Sequence, residues 1–141
     1  MARTLTAIAG FGLLAAAALA FLPAGQADAA AMMASTPKTA GDPVAGAQIF
    51  ERCAMCHTAD KGAGNRVGPN LFGVVGRRAG TVPNFPYSTA LKNSGITWTD
   101  DKLKEWVSGP QKMVPGTSMT LMGSFDSQQA DDLIAYLNTR K

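Results

Sequence analysis

The chain has 141 residues, with 13 Lys and Arg against 10 Asp and Glu, two Cys and a single His. That length suits one domain, and charged residues at 16% argue against both an acidic tail and a basic coat for nucleic acid, so no nucleic-acid partner is expected. One His and two Cys fall short of the four Cys or His ligands that a structural zinc site needs.

In chain order, Ala7 to Leu22 is an unbroken run of Ala, Leu, Ile, Phe and Gly behind Arg3, and it ends at Pro23. The run is shorter than the roughly 20 residues a membrane-spanning helix requires. Ala27-Asp28-Ala29 then supplies the small-x-small pattern that signal peptidase reads. Residues 1–29 therefore read as a secretory signal peptide and point to the periplasm; the alternative is an uncleaved anchor that leaves the protein membrane-tethered. Residues 30–41 lack any period and read as a flexible lead-in, with the folded domain expected over 42–141.

Asp42-Pro43 marks the first helix start, because Asp caps free amides and Pro is tolerated at the first helical position. Val44, Ala45, Ile49 and Phe50 follow at helical spacing, with Gly46 able to admit a second helix closely. That helix runs into Cys53-Ala54-Met55-Cys56-His57. Next comes Gly62 to Pro86, 25 residues of which nine are Gly or Pro. Irregular stretches beyond about 12–15 residues are uncommon inside a compact domain, and the apolar members here (Val67, Leu71, Phe72, Val74, Val75, Phe85) suit wrapping around something that is not polypeptide. Ser88 to Asn93 reads as a short helix closed by Gly95. A third helix is capped by Thr99, carries Asp100 and Asp101 in its first turn, buries Leu103, Trp106 and Val107, and stops at Gly109-Pro110. Gly109 to Ser124 is again irregular and holds Met113, Met119 and Met122. The last helix begins at Asp126, with Gln129 as capping-box partner, and presents Leu133, Ile134, Tyr136 and Leu137. No segment alternates as a strand would, so the fold class expected is all-α.

Both Cys and the only His lie in one Cys-x-x-Cys-His pentapeptide, the pattern of covalent haem c attachment. Cys53 and Cys56 would form thioethers to the two vinyl groups, and His57 would reach the iron. A redox dithiol of thioredoxin type is the competing reading, but it requires a strand–helix context and leaves His57 unexplained. With no second His, the sixth ligand is narrowed to Met, Lys, the amino terminus, water or nothing. Met119 follows the rigid turn Pro115-Gly116-Thr117, Met122 is its competitor, and Met113 reads as packing. A methionine sulfur would favour ferrous iron.

From Gly41 to Lys141 the chain resembles the class I cytochromes c of the soluble mitochondrial and photosynthetic-bacterial branch. The blocks GDPVAGAQIF, CAMCHTADKGAG, GPNLFGVVGRRAG, GITW, VPGTSM and DLIAYL occur in the family's order. The resemblance implies short helices and long loops wrapped around one covalent haem, with terminal helices crossing at Gly46, Phe50, Leu133 and Tyr136. It implies Met119 as the distal iron ligand and a hydrogen bond from His57 to the carbonyl of Pro69. It places Arg77, Tyr87 and Trp98 around a buried propionate and Thr117 near the haem and the Met ligand. Trp106 and Leu91 depart from the pattern, standing where many relatives hold Tyr and Asn around an internal water, and Leu121 replaces an edge-shielding aromatic. The distal side should therefore be drier, which disfavours the extra charge of ferric iron and implies a positive potential. Gln111, Ser118 and Asn65 thin the usual basic ring, leaving Arg52, Lys61, Arg66 and Lys112 at the docking edge.

An iron ligated by His57 and Met119 has no open position for substrate, so the expectation is a one-electron carrier and not an enzyme. The family implies quinol:cytochrome c oxidoreductase and a terminal oxidase or photosynthetic reaction centre as partners, and a monomer is expected. The competing class is a peroxidase or gas-binding haem protein, for which no distal acid–base His is available.

Overall fold

A computed structural model describes residues 40–141; the signal-peptide segment and nearly all of the lead-in lie outside the described residues. Within them the chain forms α1 (Pro43–Ala54), α2 (Thr89–Lys92), α3 (Asp100–Ser108), α4 (Pro110–Met113) and α5 (Ser127–Asn138). The only pairing of strand type among the described residues is an isolated antiparallel bridge between Arg78 and Thr97.

The helix starts follow from their caps. The Asp42 carboxylate accepts from the Val44 amide, and Pro43 occupies the first turn, where its missing N–H costs nothing. Ser88 and Thr99 cap α2 and α3 through their hydroxyls. Asp126 and Gln129 form the full reciprocal capping box of α5. Two expectations are corrected. Val44 is 70% exposed and not part of the buried face of α1: it precedes Gly46 by two residues, about 200° around the helix, and Gly46 is buried. α3 stops at Gly109-Pro110 as expected, but the stretch from Gly109 to Ser124 is not irregular throughout: Pro110 opens α4, because the Pro ring fixes φ at a helical value and Gly109 supplies an extended break between the two.

The packing frame is the contact of α1 with α5. A Cβ on Gly46 would stand 2.0 Å from the carbonyl oxygen of Asp132, so only glycine lets the two backbones approach this closely. Beside that point the Phe50 and Tyr136 rings tilt against each other at 5.1 Å between centroids. The buried Asp132 carboxylate accepts from the Asp42 amide and from Gln128 Nε2, both at 2.8 Å, which fixes the entrance of α1 onto α5. α3 joins this pair through Leu103, Trp106 and Val107, packed with Leu133, Ile134 and Leu137 in one apolar cluster. An ion pair of 2.5 Å between Lys104 and the buried Asp131 links α3 to α5.

Residues 62–86 contain no helix. Their backbone is held instead by hydrogen bonds to distant segments: Gly68 to Cys56, Leu71 to Thr58, Gly73 to Arg140, Gly76 to Trp98 and Ala79 to Ile96. Asn70 ties the loop to itself, donating to the Asp60 and Ala63 carbonyls while its side-chain oxygen accepts from Phe72. Such bonds satisfy the polar backbone without a sheet, and Leu71, Val74 and Phe85 face inward, whereas Val67, expected to wrap with them, sits at the mouth with 80% of its surface exposed.

Candidate functional site

The inward faces enclose a cavity of about 1150 Å³, counting its open mouth. The end of α1 contributes Phe50 and Cys53, and the turn after it Cys56 and His57; the long loop contributes Leu71, Val74 and Arg77; α2 and α3 contribute Leu91, Leu103 and Trp106; and α5 closes the interior with Leu133 and Leu137. Met119, Thr117 and Leu121 reach it from the loop after α4. The three chemistry-bearing residues of the pentapeptide and Met119 thus line one space although more than sixty positions separate them in the chain.

His57 is fixed from behind. Its Nδ1 lies 2.8 Å from the carbonyl oxygen of Pro69. A carbonyl only accepts, so Nδ1 carries the proton and Nε2 keeps its lone pair for a metal. Burial lowers the pKa of the imidazole and favours the neutral ring, and the bond to Pro69 offsets this in part while fixing the tautomer that leaves Nε2 as the donor. Gly68 is part of the same fixture, since a Cβ there would lie 2.2 Å from His57 Cε1. Cys53 sits in a desolvated position that raises its thiol pKa, with Arg52 lowering it less strongly. Dithiol oxidoreductases instead depend on a depressed pKa at the attacking thiol, so this environment disfavours the thioredoxin-type reading.

On the methionine side, Met119 is half-buried in the cavity, whereas Met122 is 64% exposed and Met113 packs on the core away from the lining. The Trp106 indole N–H donates to Met119 Sδ at 2.9 Å. Trp106 stacks edge-on against Trp98 with centroids 5.1 Å apart, so the indole is held in place. Gln111 Nε2 donates to the Thr117 carbonyl and, at 3.4 Å, to that of Met119. Sequence reasoning placed Gln111 only as a neutral member of the docking ring and did not notice Asn70, since a side chain serving distant carbonyls leaves no motif.

Arg77 lines the cavity and donates to the Phe72 and Asn70 carbonyls, each at 2.9 Å. Burial depresses its pKa and raises that of Tyr87 nearby. Tyr87 and Trp98 are lining residues as well. All four docking-edge residues, Arg52, Lys61, Arg66 and Lys112, are exposed; Arg66 also donates to the Ala54 carbonyl at 2.6 Å and Arg52 to that of Met122 at 2.7 Å.

The donor set fits a covalent haem. Two thiols, one neutral imidazole nitrogen and one thioether share a mainly apolar enclosure, with Arg77, Tyr87 and Thr117 among its polar members. The Thr117 hydroxyl oxygen is buried there without a hydrogen-bond partner, as expected of a group whose partner belongs to the cofactor. Among the described residues no group of three or more His, Cys, Asp or Glu could hold a metal ion on its own.

Comparison with known proteins gives a consistent result. The family model described as Cytochrome c matches residues 43–141. A cytochrome c2 from Rhodoblastus acidophilus is 49% identical over 102 residues, covering 72% of this chain and 95% of its own. A cytochrome c from Ginkgo biloba is 46% identical over 98 residues, covering 69% and 87%. Among solved structures, cytochrome cH from Methylobacterium extorquens matches with a TM-score of 0.66 at 46% identity, over 70% of this chain and 99% of that one.

Proposed function

The chain belongs to the cytochrome c family and has its class I fold, and from that premise we propose how its residues make it a one-electron carrier. The haem supplies a single Fe(II)/Fe(III) couple. Cys53 and Cys56 would hold it covalently, His57 would offer Nε2 to the iron with Pro69 orienting the ring, and Met119 would offer its sulfur. Arg77, Tyr87 and Trp98 would receive the propionate side, and Thr117 would hydrogen-bond near the haem and the Met ligand. Trp106 draws density from the Met119 sulfur through its N–H, which disfavours the ferric state and supports a positive potential.

The observation that carries this reading is the convergence of Cys53, Cys56, His57 and Met119 on one mainly apolar cavity whose lining holds no second histidine. Two strong-field protein ligands leave no position for a reactant, and similar ligation in both valences keeps reorganisation small. The protein is thus a carrier and not an enzyme. Quinol:cytochrome c oxidoreductase would reduce it, and a terminal oxidase or photosynthetic reaction centre would oxidise it, as suits the cytochromes c2 and c it resembles. Residues 1–29 direct export to the periplasm; an intact mass equal to residues 30–141 plus one haem is expected, and a full-length mass would contradict export with cleavage.

The function is tested by an equilibrium redox titration under carbon monoxide. A one-electron wave with a positive midpoint and no carbon monoxide adduct at neutral pH is expected. An adduct would favour the peroxidase or gas-binding class instead.

A further inference from the structure

We propose that Arg52 is a positioning residue, a latch by which α1 holds the Met119 loop closed over the cavity. The inference rests on Met119 as iron ligand and concerns what keeps it there.

After α4 the chain from Val114 to Asp126 has no helix. Its first part is braced: Thr117 donates to the Val114 carbonyl, Gln111 holds the carbonyls of Thr117 and Met119, and Trp106 holds the sulfur. Residues 120–125 are different. Among the described residues no backbone–backbone hydrogen bond involves them. Their polar fastening comes from one side chain 70 positions earlier: Arg52 Nη2 donates to the Met122 carbonyl at 2.7 Å and to the Ser124 carbonyl at 3.3 Å. The same guanidinium lies 4.2 Å from the centroid of the Phe125 ring, within cation–π range.

Gly123 makes the grip possible. Its φ of +84 turns the carbonyls on either side toward α1, and a Cβ there would come within 2.9 Å of Arg52 Nη2. The planar guanidinium is suited to this task because one group donates to two acceptors while its face covers a ring. Arg52 also adjoins Cys53, so the latch anchors to the chain at the point of covalent attachment.

Met119 is three residues from Met122. Freeing residues 122–125 lengthens the unrestrained segment and raises the fraction of molecules in which the sulfur has left the iron. An external ligand for ferric iron binds only that open fraction, so its apparent affinity rises in proportion. Loss of the charge-assisted contacts should raise it about tenfold.

The test titrates the ferric haem-loaded protein with imidazole and follows the absorption spectrum, using Arg52→Ala, Arg52→Lys, Phe125→Leu, Met119→Ala and the Met119→Ala/Arg52→Ala double variant. Arg52→Ala should bind imidazole about tenfold more tightly than the parent, with Arg52→Lys and Phe125→Leu falling between. In the Met119→Ala background the Arg52 change should add nothing, because there is no sulfur left to release. Equal affinity in the parent and Arg52→Ala overturns the latch. So does an equal gain in both backgrounds, which would make Arg52 a general stabiliser. If Met119→Ala binds imidazole no more tightly than the parent, the ligation reading itself fails, a result separate from the other two.

Discussion

Inside the cavity an indole N–H is directed at a methionine sulfur. The Trp106 bond to Met119 Sδ uses one sulfur lone pair and leaves the other for iron. In Trp106→Phe the sulfur becomes a richer donor to ferric iron. A hydrogen bond of about 1 kcal/mol corresponds to roughly 40 mV for one electron, so the midpoint should fall by about 20–60 mV in an equilibrium titration; an unchanged or higher midpoint would count against this role. On the opposite ligand, Gly68→Ala places a methyl where the His57 ring lies, and the purified variant should contain far less haem by the alkaline pyridine assay. Full haem content would mean the ring can move aside. Cys53, Cys56 and His57 were legible in sequence because thioether and iron chemistry demand those residue types at fixed spacing. Spacing and the Pro115-Gly116-Thr117 turn favoured Met119 and left Met122 as competitor; Met119 lines the cavity while Met122 is 64% exposed, which supports the same choice and is a property of the folded loop. Arg52, Asn70 and Gln111 escaped notice in these roles for a related reason: their partners are backbone carbonyls, which every residue has.

At the scale of elements, the α1–α5 crossing carries the frame that presents the pentapeptide to the cavity. Gly46→Ala forces a methyl into the Asp132 carbonyl, and overpacking of this kind costs about 1–3 kcal/mol. Thermal unfolding of the variant should shift downward accordingly, with the parent spectrum retained below the transition; an unchanged Tm would show that the helices can part without cost. Caps made α1, α3 and α5 readable, since Asp42, Thr99 and Asp126 each answer a definite need for an acceptor at free amides. α4 was not readable, because four residues carry no period and Pro110 serves equally as a stop or a start. The long Gly- and Pro-rich loop was recognisable as a wrapper, but its bonds to Cys56, Thr58, Trp98 and Arg140 depend on tertiary placement that composition does not encode.

At the scale of the whole molecule, the formal charge is only +3; the bonds from Arg52 and Arg66 to backbone carbonyls fix where two of the docking-edge charges sit without neutralising them. Long-range steering should therefore be modest. Raising ionic strength from about 0.01 M to about 0.15 M shortens the Debye length from about 30 Å to about 8 Å; the reduction rate by quinol:cytochrome c oxidoreductase should fall only a few-fold over that range, and a steep decline would contradict this view of the surface.

All of these effects assume an iron held between His57 and Met119. The weak far-red absorption of ferric iron–sulfur ligation reports that bond directly, measured in the parent, Met119→Ala and Met122→Ala proteins. The band should be present in the parent, absent in Met119→Ala and intact in Met122→Ala. A band that survives loss of Met119, or vanishes with Met122, would contradict the account.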